Sequence, residues 1–144
     1  MGDKMFERTK IADCLVYYAK KTLSNNQICY IYFINHDIYN NNYHVAFAIA
    51  NKRKEIIRWV SSEKNRIEYH QTGTCGLEGL IWAKDKILEF EMFLRERKKD
   101  GTIEIYGADS KRIRVYKYAL SKHGYKWDHI AKRMFKHIVC EEVK

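Results

Sequence analysis

Apolar side chains recur along this chain with more than one period, and each change of period marks an element. Behind Thr9, a capping residue, Ile11, Ala12, Leu15, Tyr18, Ala19 and Leu23 follow three- and four-residue spacing. They predict a helix that ends at Ser24-Asn25-Asn26. Ile28 to Ile34 is a run of β-branched and aromatic residues, the pattern of a buried strand. Asn40-Asn41-Asn42 has turn chemistry, and Tyr43 to Ala50 alternates Val45, Phe47 and Ile49 with small residues, a second strand. Glu55 to Val60 and Arg66 to His70 predict two more. Leu77, Leu80, Ile81, Ala83, Ile87, Leu88 and Leu94 then fall close to one face of a long helix running to Arg97. Lys98-Lys99-Asp100-Gly101 reads as a basic end and a glycine stop. Thr102 to Tyr106 predicts a strand, and Lys111 to His123 a helix with Ile113, Tyr116 and Leu120 on its apolar side, stopped by Gly124. Two short strands follow, at Tyr125 to Trp127 and Met134 to Val139. This order predicts one α/β (α+β) domain: a single mixed, mostly antiparallel sheet flanked by helices.

Composition narrows the class. A length of 144 residues suits one domain, and 46% hydrophobic with 14% aromatic residues supplies a full core. There is no proline, which leaves glycine and asparagine to make the turns. Cys14, Cys29, Cys75 and Cys140 form no Cys-x-x-Cys pair, which argues against a zinc ribbon or disulfide framework and for a reducing compartment. The histidines show no His-x-x-x-His, so no metal is expected. Met1 to Lys4 lacks signal-peptide character, Phe6 stands where a myristoylation signal has Ser or Thr, and no apolar run is long enough for a bilayer. The expectation is a cytoplasmic protein, monomer or homodimer, with no membrane partner.

The net charge of +9 is local. Between Lys111 and Lys136 stand nine basic residues against one acid, Asp128, a local excess of +8. A basic face of this kind implies a polyanion, whether a phosphorylated cofactor, a nucleic acid or an acidic protein, or else a solvated helix surface.

The other candidate chemistry lies in Gln71-Thr72-Gly73-Thr74-Cys75-Gly76, between a predicted strand and the long helix. Glycines let the backbone approach a ligand, and the first free N–H groups of a helix face an anion. No Lys-Ser/Thr follows, so this is not a P-loop, and the dinucleotide fingerprint spacing is absent. The same residues also suit a plain strand-to-helix turn. A third reading takes Cys75 as a nucleophile activated by the helix N-terminus, with His70 as its base.

On these residues the chain resembles the GNAT acyltransferase superfamily. The order of elements agrees with it. Gln71 to Gly76 is similar to the family's acyl-CoA loop, Arg/Gln-x-x-Gly-x-Gly/Ala, with Thr74 where the central glycine is usual. Asp109 to Tyr116, then Leu120, Gly124 and Tyr125, looks like its strand-helix-Gly-Phe segment, and Met134-Phe135-Lys136 like its last strand. The resemblance covers roughly Arg66 to Val139 and implies an N-acetyltransferase that moves an acetyl group from acetyl-CoA to an amine on a small molecule or protein. It implies that Gln71, Thr72, Gly73, Thr74, Cys75 and Gly76 hold the pyrophosphate, and Arg112 and Arg114, near Lys111, the remaining phosphate. The family's thiolate-protonating tyrosine stands four residues before the Gly of Gly-Phe, where this chain has Leu120; Tyr116, one turn earlier, is the nearest substitute, with Tyr118 on another side of the helix. Glu68 is the first candidate base, with Glu63 and His70 behind it. The alternative is a catalytically degenerate module on the same fold, whose basic helix binds nucleic acid or an acidic protein. A cysteine-based or unrelated enzyme is the third.

Overall fold

The computed structural model describes residues 6–11, 14–37, 39–50, 76–106 and 110–140. In chain order they form β1 (Glu7–Ile11), β2 (Cys14–Thr22), β3 (Ile28–Asp37), β4 (Asn42–Ala50), α1 (Gly76–Glu96), β5 (Gly101–Tyr106), α2 (Ser110–Ser121), β6 (Lys126–Asp128) and β7 (Arg133–Ile138). The strands make one seven-stranded sheet in the order β1-β2-β3-β4-β5-β7-β6. Every neighbouring pair is antiparallel except β4 and β5. The expected α+β class with a mixed, mostly antiparallel sheet is the one observed. The strands expected at 55–60 and 66–70 lie outside the described residues.

The first element differs from its expectation. Ile11 to Leu23 spans the end of β1 and strand β2, not a helix. Strand β2 buries side chains of both parities: Tyr17 and Ala19 on one face, Val16 on the other. Two buried parities blur the alternation of a strand and produce three- and four-residue intervals by coincidence. Pairing decides the outcome. Strand β2 meets β3 from Leu15↔Asn35 to Thr22↔Ile28, and Val16, Tyr17, Tyr18 and Thr22 are residue types that suit a pleated surface. Ser24 to Gln27 is therefore a hairpin turn: Asn26 takes φ 69°, and the Gln27 N–H donates to Asn25 Oδ1 at 3.0 Å.

Helix α1 ends one step earlier than its glycine suggests. Lys98 takes the left-handed conformation, φ 54°, and the Lys99 N–H donates to Leu94 O at 3.0 Å, closing the last turn. Gly101 serves a different purpose. A Cβ there would come within 2.7 Å of Asn41 O, so only glycine lets β5 start beside β4. Gly124, at φ 89°, stops α2 as expected.

Both helices contribute to the core on one face of the sheet. Ala83, Ile87, Phe90 and Leu94 of α1, with Tyr116 and Leu120 of α2, pack against Tyr17, Ile31, Phe33, Tyr43, Phe47, Ile103, Ile105, Met134 and Ile138. Ile81, placed by its spacing on the buried face of α1, is 51% exposed. Phe33 and Phe90 stack with centroids 4.0 Å apart, and Phe6 closes edge-on against both. The other face holds a second buried cluster of Ile11, Val16, Tyr30, Tyr32 and Ala46.

Candidate functional site

The single parallel junction is short. Strands β4 and β5 pair at Asn42↔Thr102, Tyr43↔Ile103 and His44↔Glu104. Beyond that point β4 continues beside β3 to Ala50, and β5 beside β7 to Tyr106, without pairing to each other among the described residues. A parallel pair needs a crossover connection, and α1 belongs to it. The carboxyl end of β4 lies beside the β2–β3 turn, because Ala50 pairs with Ile28. The first turn of α1 lies at the same place: the Ser24 hydroxyl donates to Glu78 Oε1 at 3.0 Å. The N-terminus of α1 therefore stands at the end where β4 and β5 part. In open sheets with crossover helices, that is where ligands bind.

On the sheet face opposite the helices, the same junction carries a chain of polar side chains. The parity of each strand brings them there. Strand β5 turns Ile103 and Ile105 to the helices and Thr102, Glu104 and Tyr106 to the other face. Strand β7 divides in the same way, with Met134 and Ile138 on the helix side and Arg133 on the other. His36 joins them by alternation from Tyr32 and Ile34, and the register of β3 against β4 shifts beside it, between Asn35 and Asp37. Asp37 anchors the turn that follows. Its Oδ1 accepts the Tyr39 N–H at 3.2 Å, its Oδ2 accepts the Asn40 side-chain amide at 2.7 Å, and these bonds lower its pKa.

The contacts run in sequence. His36 Nε2 lies 3.2 Å from Glu104 Oε1. Glu104, 6% exposed, pairs through its other oxygen with Arg133 Nη1. Arg133 Nε lies 3.3 Å from Asp128 Oδ2, while Asp128 Oδ1 accepts the Ile130 and Ala131 N–H groups at 3.0 Å. The His44 ring sits 4.8 Å from His36 and 4.7 Å from Tyr106.

This arrangement sets the protonation of His36. Burial lowers its pKa; Asp37 opposes the shift, and the Arg133 cation adds to it. The imidazole is therefore neutral at pH 7. Paired with a guanidinium, the Glu104 carboxylate can only accept, so Nε2 carries the proton and Nδ1 keeps its lone pair. A neutral imidazole, held in one tautomer by a carboxylate and partly open to solvent, can take a proton from a bound substrate.

The residues expected from the sequence fall in three places. Glu68, Gln71, Thr72, Gly73, Thr74 and Cys75, with Glu63 and His70, lie outside the described residues; Gly76 is the first residue of α1. Arg112 and Arg114 are on α2, where Arg114 is exposed. Tyr116 is 7% exposed within the helix-side core, and Tyr118 points away at 75% exposed, the opposed placement that helical rotation requires. His36, His44, Glu104 and Arg133 were not singled out from the sequence. The signal was a charged residue between two isoleucines, Ile103-Glu104-Ile105, which on a strand means a polar group on one face of a buried element.

Of the described cysteines, Cys14, Cys29 and Cys140 are free thiols, and burial pushes the Cys29 thiol up to about 12. Among the described residues no cluster of three metal-ligating side chains occurs, and no helix is long and apolar enough to cross a membrane. A scan of protein-family models and searches of curated proteins and solved structures found no match to this chain.

Proposed function

We propose that the chain is a GNAT-like N-acetyltransferase that uses acetyl-CoA and acetylates an amine. One observation carries the reading: a mostly antiparallel sheet has a single parallel junction that parts after three pairs, with the crossover helix beginning at its open end. This geometry suits a long ligand with an anionic head and a reactive tail. Its phosphates meet the helix N-terminus and the loop from Gln71 to Gly76, with Arg112 and Arg114 for the remaining phosphate. The thioester lies between the parted strands.

In the reaction the amine nitrogen attacks the thioester carbonyl carbon, the C–S bond breaks, and one proton leaves the nitrogen while the thiolate gains one. His36 Nδ1 takes the amine proton in this scheme, and Glu104 positions the ring. Tyr116, on the helix side of the sheet, supplies the proton to sulfur, and Glu68 is the competing base.

The test combines calorimetry with coenzyme A and thiol release from acetyl-CoA over a panel of amines. The expected result is binding that Gly76→Val abolishes, and turnover that His36→Gln lowers on the order of a hundredfold while affinity for coenzyme A is kept. Loss of activity in Glu68→Gln with none in His36→Gln would move the base to Glu68. Absence of coenzyme A binding would overturn the reading. Binding without turnover on any amine would leave a binding module.

A further inference from the structure

The local charge excess does not all reach the surface. Arg133 is paired to Glu104 and Asp128, and Lys136 to Glu91 with Nζ–Oε1 of 2.7 Å, so two of the nine cations serve the interior. Arg114, Lys122, Lys126 and Lys132 remain exposed and Lys117 half-buried, without a carboxylate partner among the described residues. Helix α2 contains no acidic residue at all. Arg114, Tyr118 and Lys122 repeat every four positions and so form one stripe along it.

The stripe holds an aromatic ring that the core does not use. Tyr118 is 75% exposed, and Lys122 Nζ stands 5.0 Å from its ring centroid. Lys117 Nζ lies 4.3 Å over the Trp127 ring and ties α2 to strand β6. The chain reverses at Gly124 and returns through β6 and the turn before β7. That turn carries the exposed Lys132, while Lys126 shares the parity of Asp128 and faces away from α2.

We propose that the outer face of α2, with the adjoining β6 edge, binds single-stranded nucleic acid. The cations meet successive phosphates, and Tyr118 offers a platform for one unpaired base. A duplex keeps its bases stacked on each other and cannot use that ring. An acidic peptide matches the charge but has no base to place on it. The surface shares Arg114 with the proposed cofactor phosphate site, but the proposal does not need acyl transfer.

The experiment is fluorescence anisotropy with a short labelled oligo(dT), titrated at several salt concentrations. The expected result is binding that weakens as salt rises, with a log–log slope of about −0.7 for each phosphate met. Tyr118→Ala should weaken it between about fivefold and a hundredfold, and Tyr118→Phe should restore it, since stacking needs the ring and not the hydroxyl. Lys122→Gln and Lys132→Gln should each remove about 0.7 from the slope. All three positions are exposed, and unchanged melting temperatures serve as the folding control. Three results overturn the proposal: no salt-dependent binding, which leaves a solvated face; poly-glutamate binding as tightly with no effect of Tyr118→Ala, which makes the surface a protein contact; or displacement of the oligonucleotide by coenzyme A, which makes it the cofactor's phosphate site.

Discussion

The two faces of the sheet bury side chains from the same strands under different constraints. On the helix side, Phe6, Phe33, Phe90 and Phe93 meet ring to ring. Dense apolar packing there tolerates almost no loss of volume. The opposite face, at the junction, spends its burial on His36, Glu104 and Arg133, whose value lies in where protons and charges sit. Among the described residues the buried helix side has one ionic exception. Lys136 Nζ bridges Glu91 Oε1 and the His123 carbonyl oxygen, each at 2.7 Å, and so ties α1, the end of α2 and β7 together. Burial, with the Glu91 carboxylate nearby, holds the Tyr125 hydroxyl well above its ordinary pKa. The difference teaches that stability and reactivity in this sheet are separable by strand parity.

The largest effect should come from the apolar face. Phe90→Ala removes a fully buried ring and should cost about 3–5 kcal/mol in urea unfolding, with binding of any ligand at the opposite face unchanged in the folded fraction. Next is Lys136→Met, which strands the buried Glu91 carboxylate and should cost about 3 kcal/mol. Adding Glu91→Leu should recover most of that loss; a double variant as unstable as the single one would show that the pair is not the reason. On the polar face, Glu104→Gln leaves the Arg133 guanidinium with Asp128 as its one carboxylate among the described residues and should cost about 1–3 kcal/mol, less than Phe90→Ala. Equal losses from the two faces would end the distinction drawn here.

The smallest effect is a pH dependence. His36 has a lowered pKa in the folded state, so between that value and the ordinary 6.5 the unfolded chain binds the extra proton. Stability should therefore be level above about 6.5, fall as pH drops through the folded pKa, and flatten below it. His36→Gln should remove that component from the melting curve, and an unchanged profile would place the titration elsewhere.

Much of this fold was legible because its elements announce themselves locally. The run Ile28 to Ile34, the alternation at Tyr43 to Ala50 and the strand Thr102 to Tyr106 read correctly, since β-branched and aromatic residues crowd each of them, and the stripe along α1 did so except at Ile81. Strand β2 did not, because its apolar positions fall by coincidence at helical spacing and its pairing with β3, not its own period, decides its state. The polar cluster was hidden for a related reason. His36 meets Glu104 only through the pairing of β3 with β4 and of β4 with β5, a property of register between strands. Arg133 and Asp128 look like members of a basic segment until pairing sets them beside Glu104. Gln71 to Cys75 and Glu68, on which the sequence reading placed most of its chemistry, lie outside the described residues.

The short β4–β5 junction also has a kinetic consequence. Strands β1 to β4 are linked by local hairpin pairings, and β5 to β7 by a compact α2 crossover, so most contacts on either side of the junction close small loops. Among the described residues only the pairs from Asn42↔Thr102 to His44↔Glu104 join the two parts of the sheet, across a much longer stretch of chain. Closing a longer loop costs more chain entropy before any contact rewards it. The junction should therefore form after the folding barrier has been crossed. Gly101→Ala, which drives a methyl group against Asn41 O, should then speed unfolding and leave the folding rate almost unchanged. The seam proposed to admit a ligand would also be the first part of the sheet to open.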